Sequence, residues 1–256
     1  MSINIAFAGD RKISVDILKF IIEEGVLPEA LFVSSRDKAS HDKDLIDICD
    51  HLDDSKIFRG DEFKREENVS SLKKSDLDYI ISIHYPYMYP KEVLDIPKHG
   101  IINLHPAYLP FNRGWHTPTW AIYEETPYGA TLHFLDEKLD SGDIISRKWL
   151  DIRPDDTADT LYKRNLEIEK ELFKESWEDL VNFDYSREEN DLEKGTIHTR
   201  YEIEKIQEID LKEKVEVEKL VRRLRALTTN KISEAAYFLK DGGKYRVQIN
   251  IELEEI

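Results

Sequence analysis

Five short apolar runs, separated by helix-like stretches, fill the first 105 residues and leave this chain few possible folds. Ile3–Ala8 ends at Gly9, passes through Asp10-Arg11-Lys12 and enters an amphipathic stretch from Ser14 to Glu24. Ala30–Ser34, Lys56–Phe58, Leu77–His84 and Ile101–Leu104 follow, the last entered from Gly100 and left at Pro106. Runs this short suit buried strands, and strands alternating with helices form parallel sheets wound on both faces. The expected class is therefore α/β, a Rossmann-like, doubly wound, mostly parallel sheet.

Further along, Ala130–Leu135 and Asp143–Ile152 read as two strands around a loop, Asp136–Gly142. Pro154-Asp155-Asp156-Thr157 carries helix-start signals and leads into a helical pattern reaching about Val181. Phe183–Lys194 is polar and charged, the best linker in the chain. Beyond it, Leu220, Val221, Leu224 and Leu227 share a helix face, and Asp241-Gly242-Gly243 turns between two strand-like runs. This divides the chain into a catalytic α/β domain, residues 1–184, and a small C-terminal α+β domain, residues 185–256. Leu220, Leu224 and Leu227 would either make a homodimer or pack on their own hairpin.

Charge narrows the partners. Acidic residues outnumber basic ones 53 to 37, a formal net charge of −16. Proteins that hold nucleic acid need clustered Lys and Arg to displace counterions, so no nucleic-acid partner is expected. Cys49 is the single cysteine, which excludes an intrachain disulfide and a cysteine-based metal site. The opening Met1-Ser2-Ile3-Asn4-Ile5 has no leader pattern, and no apolar run approaches 18 residues. No membrane contact is expected, and the cytoplasm is the default location.

Chemistry concentrates between Gly100 and Asp143. Asn103 and His105 lie two apart at a strand end, so both side chains project from one face. Open α/β sheets bind their ligands at such ends. Pro106 stops the strand; Pro110, Asn112, Arg113 and Gly114 make a rigid polar loop, and Asp140 sits in a second loop. An amide, an imidazole and a carboxylate brought together can manage acyl transfer to an amine. The amide stabilises a developing oxyanion while the other two handle protons. Asp136, Asp140 and Asp143 could also suggest a metal site, and Gly9-Asp10-Arg11 lacks the spacing of a dinucleotide-binding turn.

Four segments occur in order: Asn103-Leu104-His105-Pro106, Leu109-Pro110-Phe111-Asn112-Arg113-Gly114, Gly129-Ala130-Thr131-Leu132-His133 and Leu139-Asp140-Ser141-Gly142-Asp143. Together they resemble the folate-dependent formyltransferase family, densely over residues 77–152. The resemblance implies a catalytic trio of Asn103, His105 and Asp140, with 10-formyltetrahydrofolate as formyl donor and no metal. Ile83, Tyr85, Asp136 and Gly142 would then contact the cofactor, largely through backbone groups. His133 is expected to pack beside the trio.

Within the family, Ser82-Ile83-His84-Tyr85-Pro86-Tyr87 and Phe111-Asn112-Arg113-Gly114-Trp115-His116 look most like the nucleotide-sugar N-formyltransferases. The implied acceptor is a nucleotide-linked amino sugar of surface polysaccharide (lipopolysaccharide O-antigen) biosynthesis. Arg113 would meet its diphosphate, and Trp115 and Tyr89 would line its pocket. The methionyl-tRNA relatives fit the acidic charge and the tail Glu252-Leu253-Glu254-Glu255 poorly. The purine-pathway relatives tend to stop near the end of the long helix. A catalytically silent folate- or sugar-binding relative, or a hydrolase releasing formate to water, are the readings outside this class.

Overall fold

The computed structural model describes residues 3–254; Met1 and Ser2 of the chain's opening, and Glu255 of the acidic tail with Ile256, lie outside the described residues. In chain order the elements are β1 (Ile5–Gly9), α1 (Lys12–Glu23), β2 (Ala30–Val33), α2 (Asp42–Ile48), β3 (Ile57–Arg59), α3 (Glu66–Lys73), β4 (Tyr79–Ile83), α4 (Lys91–Leu94) and β5 (Gly100–His105). Then come β6 (Arg113–Gly114), α5 (Thr117–Glu124), β7 (Gly129–Phe134), β8 (Ile144–Trp149), α6 (Ala158–Asn182), β9 (Ile197–His198), α7 (Val217–Ala226), β10 (Ala236–Lys240) and β11 (Gly243–Val247). Among the described residues no helix is long and apolar enough to cross a membrane.

The chain forms two compact units, each assembled from separate stretches. The first comprises Met1–His105, Thr131–Ser146 and Glu169–Asn190. The principal sheet has seven strands among the described residues, in the order β3-β2-β1-β4-β5-β7-β8. Strands β1 to β5 pair in parallel, and β7 runs antiparallel to β5. Every residue of β1, β2 and β4 is buried, as expected for strands covered on both faces.

Aromatic packing fixes the rest of this unit. Phe32, Phe58, Phe63, Tyr85 and Tyr89 form one cluster, with Phe32 and Phe58 ring centroids 5.3 Å apart. Such pairs contribute about 0.5–1.5 kcal/mol each beyond the area they bury. Cys49, directly after α2, is fully buried, and that burial pushes its thiol up to about 12, with Asp50 adding to the shift.

The stretch read as a linker is tied down instead. Glu188 and Ile144 exchange two backbone hydrogen bonds, of 2.8 and 2.9 Å, and the Arg187 guanidinium lies 3.8 Å from the Phe134 ring centroid. Polarity misled here because most of its charged side chains face outward, while the backbone bridges to β8, Arg187 turns onto Phe134 and Asn190 turns inward. The two units therefore interleave along the chain, whereas a boundary at 184/185 follows chain order.

The second unit comprises Pro106–Ala130, Arg147–Ile168 and Asp191–Ile256. Trp120 stacks on His198 at 3.9 Å and joins a core with Ile203, Ile206, Leu227 and Ala236, against which Leu224 packs. On α7, Leu224 and neighbouring Leu227 thus face the unit's own core, while Val217 and Val221 are exposed. Strands β10 and β11 form the expected antiparallel hairpin.

Candidate active site

Strand pairing places Asn103 opposite His133, and His105 opposite Thr131, across β5 and β7. Because both strands alternate with period two, the Asn-x-His and Thr-x-His segments present their side chains on one face. His105 and His133 meet edge-on at 6.1 Å between centroids.

Asp140 completes the group from the loop after β7. Its Oδ2 lies 3.7 Å from His105 Nδ1, and its Oδ1 lies 3.8 Å from His133 Nε2. All three side chains are buried. The sequence-derived trio thus converges inside the first unit, with a second histidine beside it.

Hydrogen bonds fix the protonation of that histidine. His133 Nδ1–H donates to Phe134 O at 2.8 Å, so Nε2 holds a lone pair and accepts from Asn103 Nδ2 at 3.1 Å. Complete burial lowers the His133 imidazole from its usual 6.5 to about 4, outweighing the nearby Asp140 charge. At neutral pH it is an uncharged acceptor that orients the Asn103 amide.

The Asp140 loop is braced on every side. Asp136 Oδ1 accepts from Ser141 Oγ at 2.5 Å and from the Lys138 backbone at 2.8 Å. Gly142 passes so close to β7 that a Cβ there would sit 2.1 Å from Phe134 O. Asn190 Nδ2 reaches the carbonyls of Asp140 and Gly142, at 3.1 and 3.4 Å. Asp140 itself sits at φ 46°, a left-handed conformation that Asp tolerates better than most residues.

At the neighbouring strand end, Ser14 Oγ donates to Ile83 O at 2.7 Å and accepts from Asp10 N at 3.2 Å, joining the ends of β1 and β4. Directly after Ile83, His84 Nε2–H donates to Glu169 Oε1 of α6 at 2.7 Å. Sequence reading missed Asn190 and Glu169, since each looks like one more surface residue in a charged stretch.

Among the expected ligand residues, Ile83, Asp136 and Gly142 belong to the first unit at the positions just described. Tyr85 and Tyr89, expected to contact ligands, are core residues here. Tyr85 donates to Gly60 O at 2.9 Å, and Tyr89 packs on Phe63 at 5.3 Å while donating to Ser82 Oγ at 3.2 Å. Rings flanked by Phe32 and Phe63 gain more from burial than from solvent. Arg113 and Trp115 belong to the second unit. The Arg113 backbone pairs with β9, its side chain is buried, and its Nε has no hydrogen-bond partner among the described residues. Trp115 is 40% exposed, with the Arg200 guanidinium 5.2 Å from its ring centroid.

Residues 5–176, most of the chain, match the family model described as formyl transferase. The chain belongs to that family. Residues 202–253 of this formyltransferase also match the model described as N-formyltransferase dimerization C-terminal domain. A dTDP-4-amino-4,6-dideoxyglucose formyltransferase of Mycobacterium bovis is 29% identical over 178 residues, 70% of this chain and 75% of the relative. The structure of a sugar N-formyltransferase from Shewanella sp FDAARGOS_354 superposes with a TM-score of 0.83 at 24% identity, covering 99% of both chains. The formyltransferase PseJ from Anoxybacillus kamchatkensis, solved with UDP-4,6-dideoxy-4-formamido-L-AltNAc and tetrahydrofolate, superposes at 0.56 and 25% identity, covering 79% of this chain and 88% of that one.

Proposed function

We propose that this enzyme transfers the formyl group of 10-formyltetrahydrofolate to the amine of a nucleotide-linked amino sugar. The observation that carries the reading is the convergence of half-buried Asn103 with buried His105 and Asp140 in a chain of this family. The acceptor class is supported by the dTDP-amino-sugar relative and by PseJ, whose structure holds a UDP-linked formamido sugar with tetrahydrofolate.

The residues present suit such a donor. Ile83 ends a fully buried strand, and the Asp136–Gly142 loop is held rigid by Ser141 and Asn190. Both offer fixed peptide groups, the kind of recognition a flat heterocycle with alternating donors and acceptors requires. When bound, the donor would supply the formyl carbon that the amine attacks and the nitrogen that departs from it.

The protein's part is electrostatic. As the amine adds to that carbon, charge develops on the formyl oxygen, which the second Asn103 Nδ2 hydrogen and a protonated His105 stabilise. Asp140 pairs with the imidazolium and takes a proton from the amine, directly or through water. Asp140 would pass that proton on to the departing nitrogen, directly or through water, as the donor's bond between nitrogen and formyl carbon breaks and the amine becomes a formamide.

Arg113 meets the diphosphate and Trp115 the sugar or base in this proposal, and Tyr85 contributes through its backbone. A homodimer through residues 202–253 is part of it, supported by the dimerization-domain match and by the exposed apolar Val217, Val221 and Leu239. Metal-free chemistry, a cytoplasmic location and a role in surface polysaccharide biosynthesis complete it.

One experiment tests the core claim. Purified enzyme, 10-formyltetrahydrofolate and a panel of nucleotide-linked amino sugars are analysed by mass spectrometry. A gain of one formyl group on one sugar is expected. Formate release without formylation of any sugar would replace the transferase reading with a hydrolase.

A further inference from the structure

Glu169 lies on α6 with its side chain fully buried. Its Oε1 accepts from His84, while its Oε2 is buried without a hydrogen-bond partner among the described residues. A buried carboxylate–histidine pair is weak evidence of stabilisation, because two apolar side chains of similar volume would pack there without desolvating polar groups. Sites that break such a rule commonly serve function.

What Glu169 orients is the first residue beyond β4. His84 sits at φ 51°, in the left-handed region, next to the strand that carries Asn103 and His105. The loop it opens is fastened by side chains: Tyr85 to Gly60 O at 2.9 Å and Tyr87 to Ser35 Oγ at 3.1 Å. The backbone N–H groups of Tyr85, Tyr87 and Met88, by contrast, enter no hydrogen bond among the described residues. A rigid loop with open peptide donors at a strand's C-terminal end is a ready ligand wall.

We propose that Glu169 is a positioning residue: through His84 it sets the backbone turn after β4 and so presents the Tyr85–Met88 peptide groups to the pterin of the formyl donor. The inference rests on the folate reading above and assigns Glu169 no contact with the reacting atoms.

The test uses the full-length enzyme with three substitutions: Glu169→Leu, Glu169→Gln and His84→Asn. Asn accepts left-handed backbone readily but cannot span to Glu169. Readouts are Tm, binding of the non-reacting 5-formyltetrahydrofolate, and KM for each substrate. Glu169→Leu leaves the His84 N–H without its acceptor, so Tm should fall modestly, and the folate should bind about tenfold more weakly, as loss of preorganisation does. The amino-sugar KM should hold. Glu169→Gln, which keeps an oxygen for Nε2–H, should stay within about threefold of wild type. His84→Asn should reproduce the donor-specific loss, and carries the test if the leucine variant does not fold. Wild-type folate binding in both Glu169→Leu and His84→Asn, or equal loss of both substrates, overturns the inference. A wild-type enzyme that binds no folate overturns the functional reading as well, a result distinguishable from either.

Discussion

Asn103 and His133 share one hydrogen bond across an antiparallel strand pair, and its direction is set by the carbonyl of Phe134 on the far side of the ring. One amide hydrogen of Asn103 is thereby committed, which fixes the plane of the amide and the aim of the other hydrogen. His133→Leu should lower turnover about tenfold or more while leaving both KM values near wild type, since only transition-state stabilisation is lost. His133→Gln, offering an acceptor oxygen, should recover part of it. Steady-state kinetics separates the two.

Asn103→Ala removes the donor itself and should cost about 10²–10³ in turnover, the usual effect of one lost oxyanion donor. His105→Ala and Asp140→Ala should also lower turnover by orders of magnitude without unfolding the protein. Near-wild-type turnover under saturating substrates in any of the three would remove that residue from the chemistry.

His133 also makes stability depend on acidity. Folding lowers its proton affinity from about 6.5 to about 4, so the unfolded chain takes up the proton first as pH falls. The contribution is complete above pH 6.5, declines below it and is gone near pH 4. At about 1.4 kcal/mol per unit it totals roughly 3 kcal/mol. Urea unfolding at pH 7.5 and 5.0 should show wild type losing about 2 kcal/mol more than His133→Gln. Equal losses would mean that His133 titrates normally in the fold.

Gly142→Ala should damage both stability and rate. The new methyl group would lie 2.1 Å from Phe134 O, so either β7 or the Asp140 loop must shift. Overpacking of this kind costs roughly 1–3 kcal/mol. A turnover loss persisting at low temperature, where the variant stays folded, separates displacement of Asp140 from simple unfolding.

Arg113→Lys should weaken the sugar nucleotide more than the folate. A guanidinium engages two phosphate oxygens at once, which an ammonium cannot do with the same geometry. Titration with each ligand separately decides. Equal loss of both points to a collapsed loop, and loss of neither removes Arg113 from the site.

Much of this was readable from the chain because it depends on local rules. Apolar runs ended by Gly9 and Pro106 mark strands whatever surrounds them, and a two-residue spacing puts Asn103 and His105 on one face in any strand. Asp140 was found only through the order of four segments, since an acidic turn by itself is commonplace. Asn190 and Glu169 were illegible for a different reason. Both sit among charged neighbours, and only tertiary packing turns one toward the Asp140 loop and buries the other against His84. Tyr89 fell between these cases: an aromatic near a strand end suits a pocket or a core, and its neighbours Phe32 and Phe63 decide for the core.

The buried thiol after α2 gives the protein a clock of its own. Cys49 is the only cysteine in the chain, and its proton is held far above physiological pH. Reagents that need a thiolate must wait until that segment opens and the side chain meets water. The rate at which the native enzyme takes up one such label therefore counts opening events at a single place, without any engineered probe. Comparing that rate with and without bound folate would report how far ligand occupancy at the strand ends quiets the helix layer beside them.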